Sequence, residues 1–167
     1  ELEDRFAAVA VSAVQKAAQA PANSHQRVHA LWLMQRLGVQ DPAVLRAAAA
    51  SSDALVRTHV QRMATDLQYR VSRKEVLAPE LVSAARELAL QGLGDEDALV
   101  RRCAAEALGM GPEANVEPLL KALAAAQPAD THLVYVLRKA LRDQLRLKVG
   151  IDSVLARQDW SDAEVRA

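Results

Sequence analysis

Asp97-Ala-Leu-Val-Arg-Arg-Cys-Ala-Ala-Glu-Ala-Leu-Gly109 is the stretch that decides how this chain is read. Its first five residues, Asp97 to Arg101, repeat letter for letter at Asp53 to Arg57, and a variant, Asp162-Ala-Glu-Val-Arg166, stands near the end of the sequence. Repetition at tens of residues marks a repeat architecture, in which each unit buries its apolar face against the next. Aligned on the fourth residue of the motif, Val28, Val56, Val100, Val134 and Val165 fall in register at intervals of 28, 44, 34 and 31 residues. Spacings of that size belong to helix-pair repeats.

Working outward, each unit reads as two helices. Asp41-Pro42 starts one helix, with Asp as N-cap and Pro at the first helical position, predicted over 43–50. Ser51-Ser52-Asp53 then caps a helix over 54–67, whose stripe of Leu55, Val56, Val60 and Met63 has helical spacing. The longest interval suggests a loop insertion over 68–79, where Arg70, Arg73, Lys74 and Glu75 break the apolar rhythm. In the next unit Leu81, Ala84, Ala85 and Leu88 mark the first helix, stopped at Gly92 and Gly94. Asp97 caps the second, which Gly109, Gly111 and Pro112 are expected to end. A third pair is predicted over 116–126 and 131–149. Upstream, Ser24 is expected to cap a helix that stops at Gly38, after an amphipathic helix over 2–19. The units are thus 2–38, 41–67, 79–109, 116–149 and a truncated 151–167.

The motif has a physical logic. An N-cap aspartate accepts hydrogen bonds from the free N–H groups of the first turn and meets the positive end of the helix dipole. Arg57, Arg101 and Arg166 lie four residues after Asp53, Asp97 and Asp162. Stacked units would bring each arginine near its own or a neighbour's aspartate, so an Asp–Arg ladder is expected to set register between repeats. An exposed rung is worth no more than about 1 kcal/mol.

Composition agrees with an all-α chain. Of 167 residues, 51% are hydrophobic but only 3% aromatic, and Ala and Leu, the strongest helix formers, dominate the rest. A chain of this length buries about 70% of its unfolded surface. Twenty-one basic and 21 acidic side chains cancel, which argues against nucleic-acid binding through bulk charge. The single cysteine, Cys103, rules out an internal disulfide and every Cys-pair metal motif, and its alanine-rich setting reads as buried. No apolar run of about 18 residues spans a membrane, and no signal peptide is visible. The chain begins at Glu1 and stops inside the last motif, so a segment of a longer protein is expected.

With its turn Asp, Val-Arg and alanine-rich helix ending Ala-Leu-Gly, the stretch 97–109 resembles a HEAT or HEAT-like repeat, a likeness covering about residues 24–167. It implies a right-handed α-α superhelix, a HEAT-like solenoid of four to five helix pairs. A narrower likeness lies in Arg27-Val-His-Ala-Leu-Trp-Leu-Met-Gln-Arg-Leu-Gly-Val-Gln-Asp-Pro42 and Asp130-Thr-His-Leu-Val-Tyr-Val-Leu-Arg-Lys-Ala-Leu-Arg-Asp-Gln-Leu145. These resemble the HEAT-like segment of large proteins from the Planctomycetes and Verrucomicrobia described as membrane-bound dehydrogenases. Those proteins join a quinoprotein-type β-propeller, the HEAT-like segment and a c-type haem domain. The resemblance implies a connecting segment in a periplasmic or membrane-associated protein. Haem attachment needs Cys-x-x-Cys-His, and Cys103 has no such partner, so neither redox function is assigned to this chain and no cofactor is expected.

Candidate sites are few. His25 and His29 lie four apart on one helix face but lack a neighbouring acidic or Cys ligand, so no metal site is expected. Arg138, Arg142 and Arg146, with Lys139 and Lys148 nearby, form a basic ridge along one predicted helix, either a solvated face or a patch that docks an acidic partner. Trp32 reads as core, and Trp160 as packing between the last units. No nucleophile elbow, P-loop or dinucleotide fingerprint occurs, so no catalytic residue is assigned. The leading reading is a non-catalytic interaction or scaffold module whose partner is another domain of the same polypeptide or an external protein. Homodimerisation through uncapped ends is also expected. The alternatives are a HEAT-like DNA glycosylase type of nucleic-acid binder, which the charge and aromatic content oppose, and a HEAT-like lyase or chaperone helper.

Overall fold

The computed structural model describes residues 2–166, with side-chain surroundings from residue 10 onward. Among the described residues there are ten α-helices and no strand. They are α1 (Leu2–Gln19), α2 (Ser24–Arg36), α3 (Pro42–Ala49), α4 (Ala54–Ser72), α5 (Pro79–Gly92), α6 (Ala98–Met110), α7 (Val116–Ala125), α8 (Thr131–Gln144), α9 (Lys148–Ala156) and α10 (Asp162–Arg166). None is long and apolar enough to cross a membrane.

Short polar side chains start these helices. Asp41 accepts from the Ala43 N–H at 2.8 Å, Asp53 from Leu55 at 2.9 Å, and Asp97 from Leu99 and Val100 at 2.8 and 3.1 Å. Asp130 accepts from Leu133 at 3.0 Å. Each such cap contributes about 1 kcal/mol. At α2 the cap is Asn23, which accepts from the Gln26 N–H, and Ser24, expected as the cap, is instead the first helical residue.

Two helix ends differ from the sequence expectation, those of α4 and α8, and a glycine near a third serves a further purpose. The segment 68–79 is not a loop throughout, because α4 continues to Ser72 and only residues beyond it are irregular. It stops when Lys74 takes a left-handed φ of 64°, with the Lys74 and Glu75 N–H groups returning to the Val71 and Arg70 carbonyls. That is the closure glycine usually provides, and Gly38 (φ 69°) provides it after α2. α6 ends at Met110 with Gly111 as its C-cap, as expected, and Gly109 is its penultimate residue. A β-carbon there would sit 2.8 Å from both the Cα and Cβ of Ala140, so Gly109 is where α6 and α8 touch. Finally, the helix expected over 131–149 breaks after Gln144, turns through Leu145–Leu147, and resumes as α9. Gln144 turns inward there, and Gly150 packs so tightly on its backbone carbonyl that no side chain would fit.

Packing follows chain order. α2 lies against α4, α4 against α6 and α6 against α8, while α3 contacts α5, α7 backs α8, and α9 and α10 rest on α7. The core between them includes Met63 and Leu67 of α4, Leu88 of α5, Leu108 of α6, Leu119 of α7 and Leu137 of α8, all nearly inaccessible. Ala104, Ala105 and Ala107 are fully buried in α6. These small side chains let α6 approach both neighbours, which accounts for a packed core with few aromatic rings.

Candidate interaction surface

α8 is pinned at both ends. At its start the Asp130 carboxylate accepts from Arg102 of α6 at 2.9 Å while capping its own helix. The Leu133 N–H is the largest influence on Asp130 and, with Arg102 and Arg101, outweighs burial to hold this carboxyl below its ordinary pKa. At its end the fully buried Gln144 amide donates to the Leu108 and Gly111 carbonyls at 2.9 and 2.8 Å and accepts from the Asn115 N–H at 2.9 Å. Asn115, also buried, donates to the Leu108 carbonyl and accepts from Arg86. These bonds satisfy the last carbonyls of α6, which would otherwise be buried without partners.

One face of α8 packs into the core through Leu133, Leu137 and Ala140. The opposite face is open along its whole length. Thr131, Val134, Tyr135 and Arg138 line one groove of about 750 Å³ against α7 and α10. Arg138, Leu141, Arg142, Leu145 and Arg146 line a second, of about 690 Å³, closed by Val116 and Leu120 of α7, Val154 of α9, and Trp160 and Val165. Tyr135 is 67% exposed and Leu145 42%.

The ridge expected from the sequence is only partly a ridge. Arg138 and Arg142 are exposed on α8, whereas Arg146 lies past its C-terminus in the turn to α9. The break after Gln144 moves Arg146 off the helix but leaves it on the rim of the same groove. Lys139 lies outside both grooves, where it pairs with Asp143 at 3.3 Å. Arg142 pairs with Asp143 at 2.8 Å. Burial pushes the Asp143 carboxyl up, but these two cations outweigh it and the net shift is downward. Arg138 and Arg146 meet no acidic side chain among the described residues. Lys148 begins α9 and faces Asp152.

The motif arginines do bridge units, but not to motif aspartates. Arg57 donates to Asp95 and to the Ser51 and Ser52 carbonyls, and Arg101 donates in the same way to the Asp95 and Glu96 carbonyls and lies 3.8 Å from Asp130. Asp53 and Asp97 are occupied as caps. The neighbouring Ser24 hydroxyl, then the Leu55 N–H, hold the Asp53 carboxyl below its usual range. The third copy departs further. Ser161, not Asp162, caps α10, bonding reciprocally with Glu164, while Asp162 and Arg166 make only an exposed 3.8 Å pair. Glu164 is buried against Ser161 and Arg157, which hold its pKa at about 2. Sequence reading placed Asp95 in the capping run 95–97 without its pairing to Arg57, and missed Asp130, Asn115 and Gln144, whose importance comes from the helices they touch. The Ser161-x-x-Glu164 spacing of a capping box was legible.

His25 and His29 are exposed, and no metal-competent cluster of His, Cys, Asp and Glu occurs among the described residues. Cys103 is buried, and burial raises its thiol pKa. Trp32 is half-buried and donates Nε1–H to His59 Nδ1 at 3.0 Å. Trp160 donates to the Arg157 carbonyl, with the Arg157 guanidinium 4.5 Å above its ring.

Comparison with known protein families, with curated proteins and with solved structures finds no match to this chain.

Proposed function

We propose that this chain is a non-catalytic protein-interaction module, a HEAT-like right-handed α-α solenoid that holds domains of a larger protein together. The observation that carries the reading is the open face of α8, held at its start by a partly buried ion pair and at its end by buried hydrogen bonds, with arginines beside exposed Tyr135 and Leu145. Such a pairing of rigid scaffold, apolar surface and charge suits recognition of another protein surface. The repeated Asp-Ala-Leu-Val-Arg motif, and the stacking of α2, α4, α6 and α8 in chain order, support the solenoid. The sequence likeness to the connecting segment of large dehydrogenases supports partner domains within one polypeptide.

A photo-crosslinking residue at Tyr135, compared with one at the remote and fully exposed Val76, tests this in extract of the native host. Discrete protein adducts specific to position 135 are expected. Adducts that are identical at both positions, or missing at both, overturn the reading. Mass spectrometry of the adducts decides whether the partner is a propeller or haem domain.

A further inference from the structure

The last two joints of the row, α4 to α6 and α6 to α8, share one arrangement. Arg57 of α4 reaches Asp95, two residues ahead of the α6 cap, and Arg102 of α6 reaches Asp130, the cap of α8. In each, a cation on the earlier helix meets an acid at the start of the later one. Gly109 of α6 against Ala140 of α8 closes the apolar part of the second joint. On α8 the positions matching Arg101 and Arg102 are Tyr135 and Val136, and its cations stand further along, Arg138 without an acidic partner and Arg142 paired with Asp143; among the described residues no further helix of the row covers them. Arg138 and Arg142 are exposed, Leu145 stands beside them, and Glu164 of α10, which lines the same groove, is held by Arg157 and Ser161. α10 rests on α7 and walls the grooves without filling them.

Resting on the interaction-module reading, we propose that the open face of α8 is a docking site for an acidic amphipathic helix contributed by a partner protein. The helix lies along α8 with an apolar stripe over the exposed Tyr135 and Leu145 and carboxylates toward Arg138 and Arg146, with Arg142 already shared with Asp143. Its length matches the 14 residues of α8, about 21 Å at 1.5 Å per residue. Charge complementarity selects the occupant. A basic or neutral helix leaves Arg138 and Arg146 facing like charge or nothing. A second copy of this chain is disfavoured for the same reason, because a two-fold contact through α8 sets the arginine row against its own twin.

The test uses two fluorescent synthetic peptides of α8's length with the same leucine stripe, one flanked by Glu and one by Lys. Anisotropy with the whole chain is expected to show the acidic peptide binding at least tenfold more tightly, and less tightly as salt rises. The double reversal Arg138→Glu, Arg142→Glu is expected to invert the preference, with circular dichroism checking that helix content is kept. Leu145→Asp is expected to weaken the acidic peptide without inverting anything. Equal binding of both peptides, no binding of either, or a preference that the reversal leaves unchanged overturns the proposal. So does a dimer in sedimentation that the reversal abolishes, which would assign the face to a second copy. Peptides that fail while the Tyr135 crosslinks persist sink this inference alone, whereas failure of both removes the interaction module as well.

Discussion

Arg57 and Asp95, 38 residues apart, form a two-pronged ion pair: Nε donates to Oδ2 at 2.8 Å and Nη2 to Oδ1 at 2.9 Å. Both side chains are nearly out of solvent, at 10% and 13% exposure. Burial alone raises the Asp95 pKa, but Arg57 and the Asp97 N–H outweigh it and the net shift is downward. The same guanidinium ties down the Ser51 and Ser52 carbonyls, so one side chain fixes the turn before α4 and the start of α6. Removing Arg57 leaves the buried Asp95 charge uncompensated, and removing Asp95 leaves the buried guanidinium only the exposed Glu96 carboxylate at 3.2 Å. Arg57→Ala and Asp95→Ala are each expected to cost about 3 kcal/mol, lowering Tm by roughly 6–12 °C for a chain of this size. A double-mutant cycle on thermal melts should show coupling above about 1 kcal/mol. Additive losses would mean the pair does not join the units.

Gly109→Ala ordinarily raises helix stability by about 1 kcal/mol. Here the added methyl meets Ala140 at 2.8 Å, so overpacking is expected to reverse the sign, for a net loss of about 1–3 kcal/mol. Denaturant melts check this, and Ala140→Gly in the same chain should recover part of the loss. A stabilised Gly109→Ala variant would show that α6 and α8 are not in close contact.

His59 accepts from the Trp32 N–H through Nδ1, which requires the neutral ring. Burial lowers its pKa below 6.5, and Arg62 and His29 add to the effect. A histidine with a lowered folded pKa binds protons more readily when unfolded, so stability is complete above pH 6.5 and falls as pH drops below that value. Urea melts at descending pH, followed by Trp32 fluorescence in a Trp160→Phe background, should show the decline. His59→Phe should flatten it. A wild-type profile with no slope across this range would exclude the hydrogen bond as a link between α2 and α4.

Glu164 holds α10 by bonding Ser161 and Arg157. Its pKa falls from 4.5 to about 2 in the folded chain. Its contribution is therefore present above pH 4.5 and is lost as pH falls through about 2. A five-residue helix has little stability of its own. Glu164→Gln at neutral pH is expected to speed hydrogen exchange over residues 162–166 while α4 and α6 stay protected. Unchanged exchange would show that the capping box does not anchor this end.

Much of the helix pattern was legible in the sequence, because capping residues and apolar spacing act locally. Asp41, Asp53 and Asp97 announce helix starts wherever they stand, and stripes such as Val56, Val60 and Met63 announce a buried face. The errors fell where a local signal was overruled. α4 outran its expected end because Lys74, with no glycine to advertise it, adopts the left-handed turn. The helix expected over 131–149 broke at Gln144 because Gln144 turns inward onto the Leu108 and Gly111 carbonyls.

The candidate surface was legible only as a row of arginines. Arg138 and Arg142 share a helix by spacing alone, but Arg146 joined them on paper by a helix that ends at Gln144. Whether Leu141 and Leu145 face core or groove depends on which helix lies alongside, and spacing does not encode that.

By itself, then, the sequence determined that the chain is helical, where most helices begin, and that the Asp-Ala-Leu-Val-Arg motif recurs, since hydrogen bonding within a turn and 3.6-residue periodicity are near-neighbour effects. Only the tertiary structure decided that Arg57 takes Asp95, that Gln144 closes α6, and that α8 keeps one face uncovered. Those outcomes depend on residues dozens of positions apart meeting in space, where the position of the neighbouring helix settles which groups are paired.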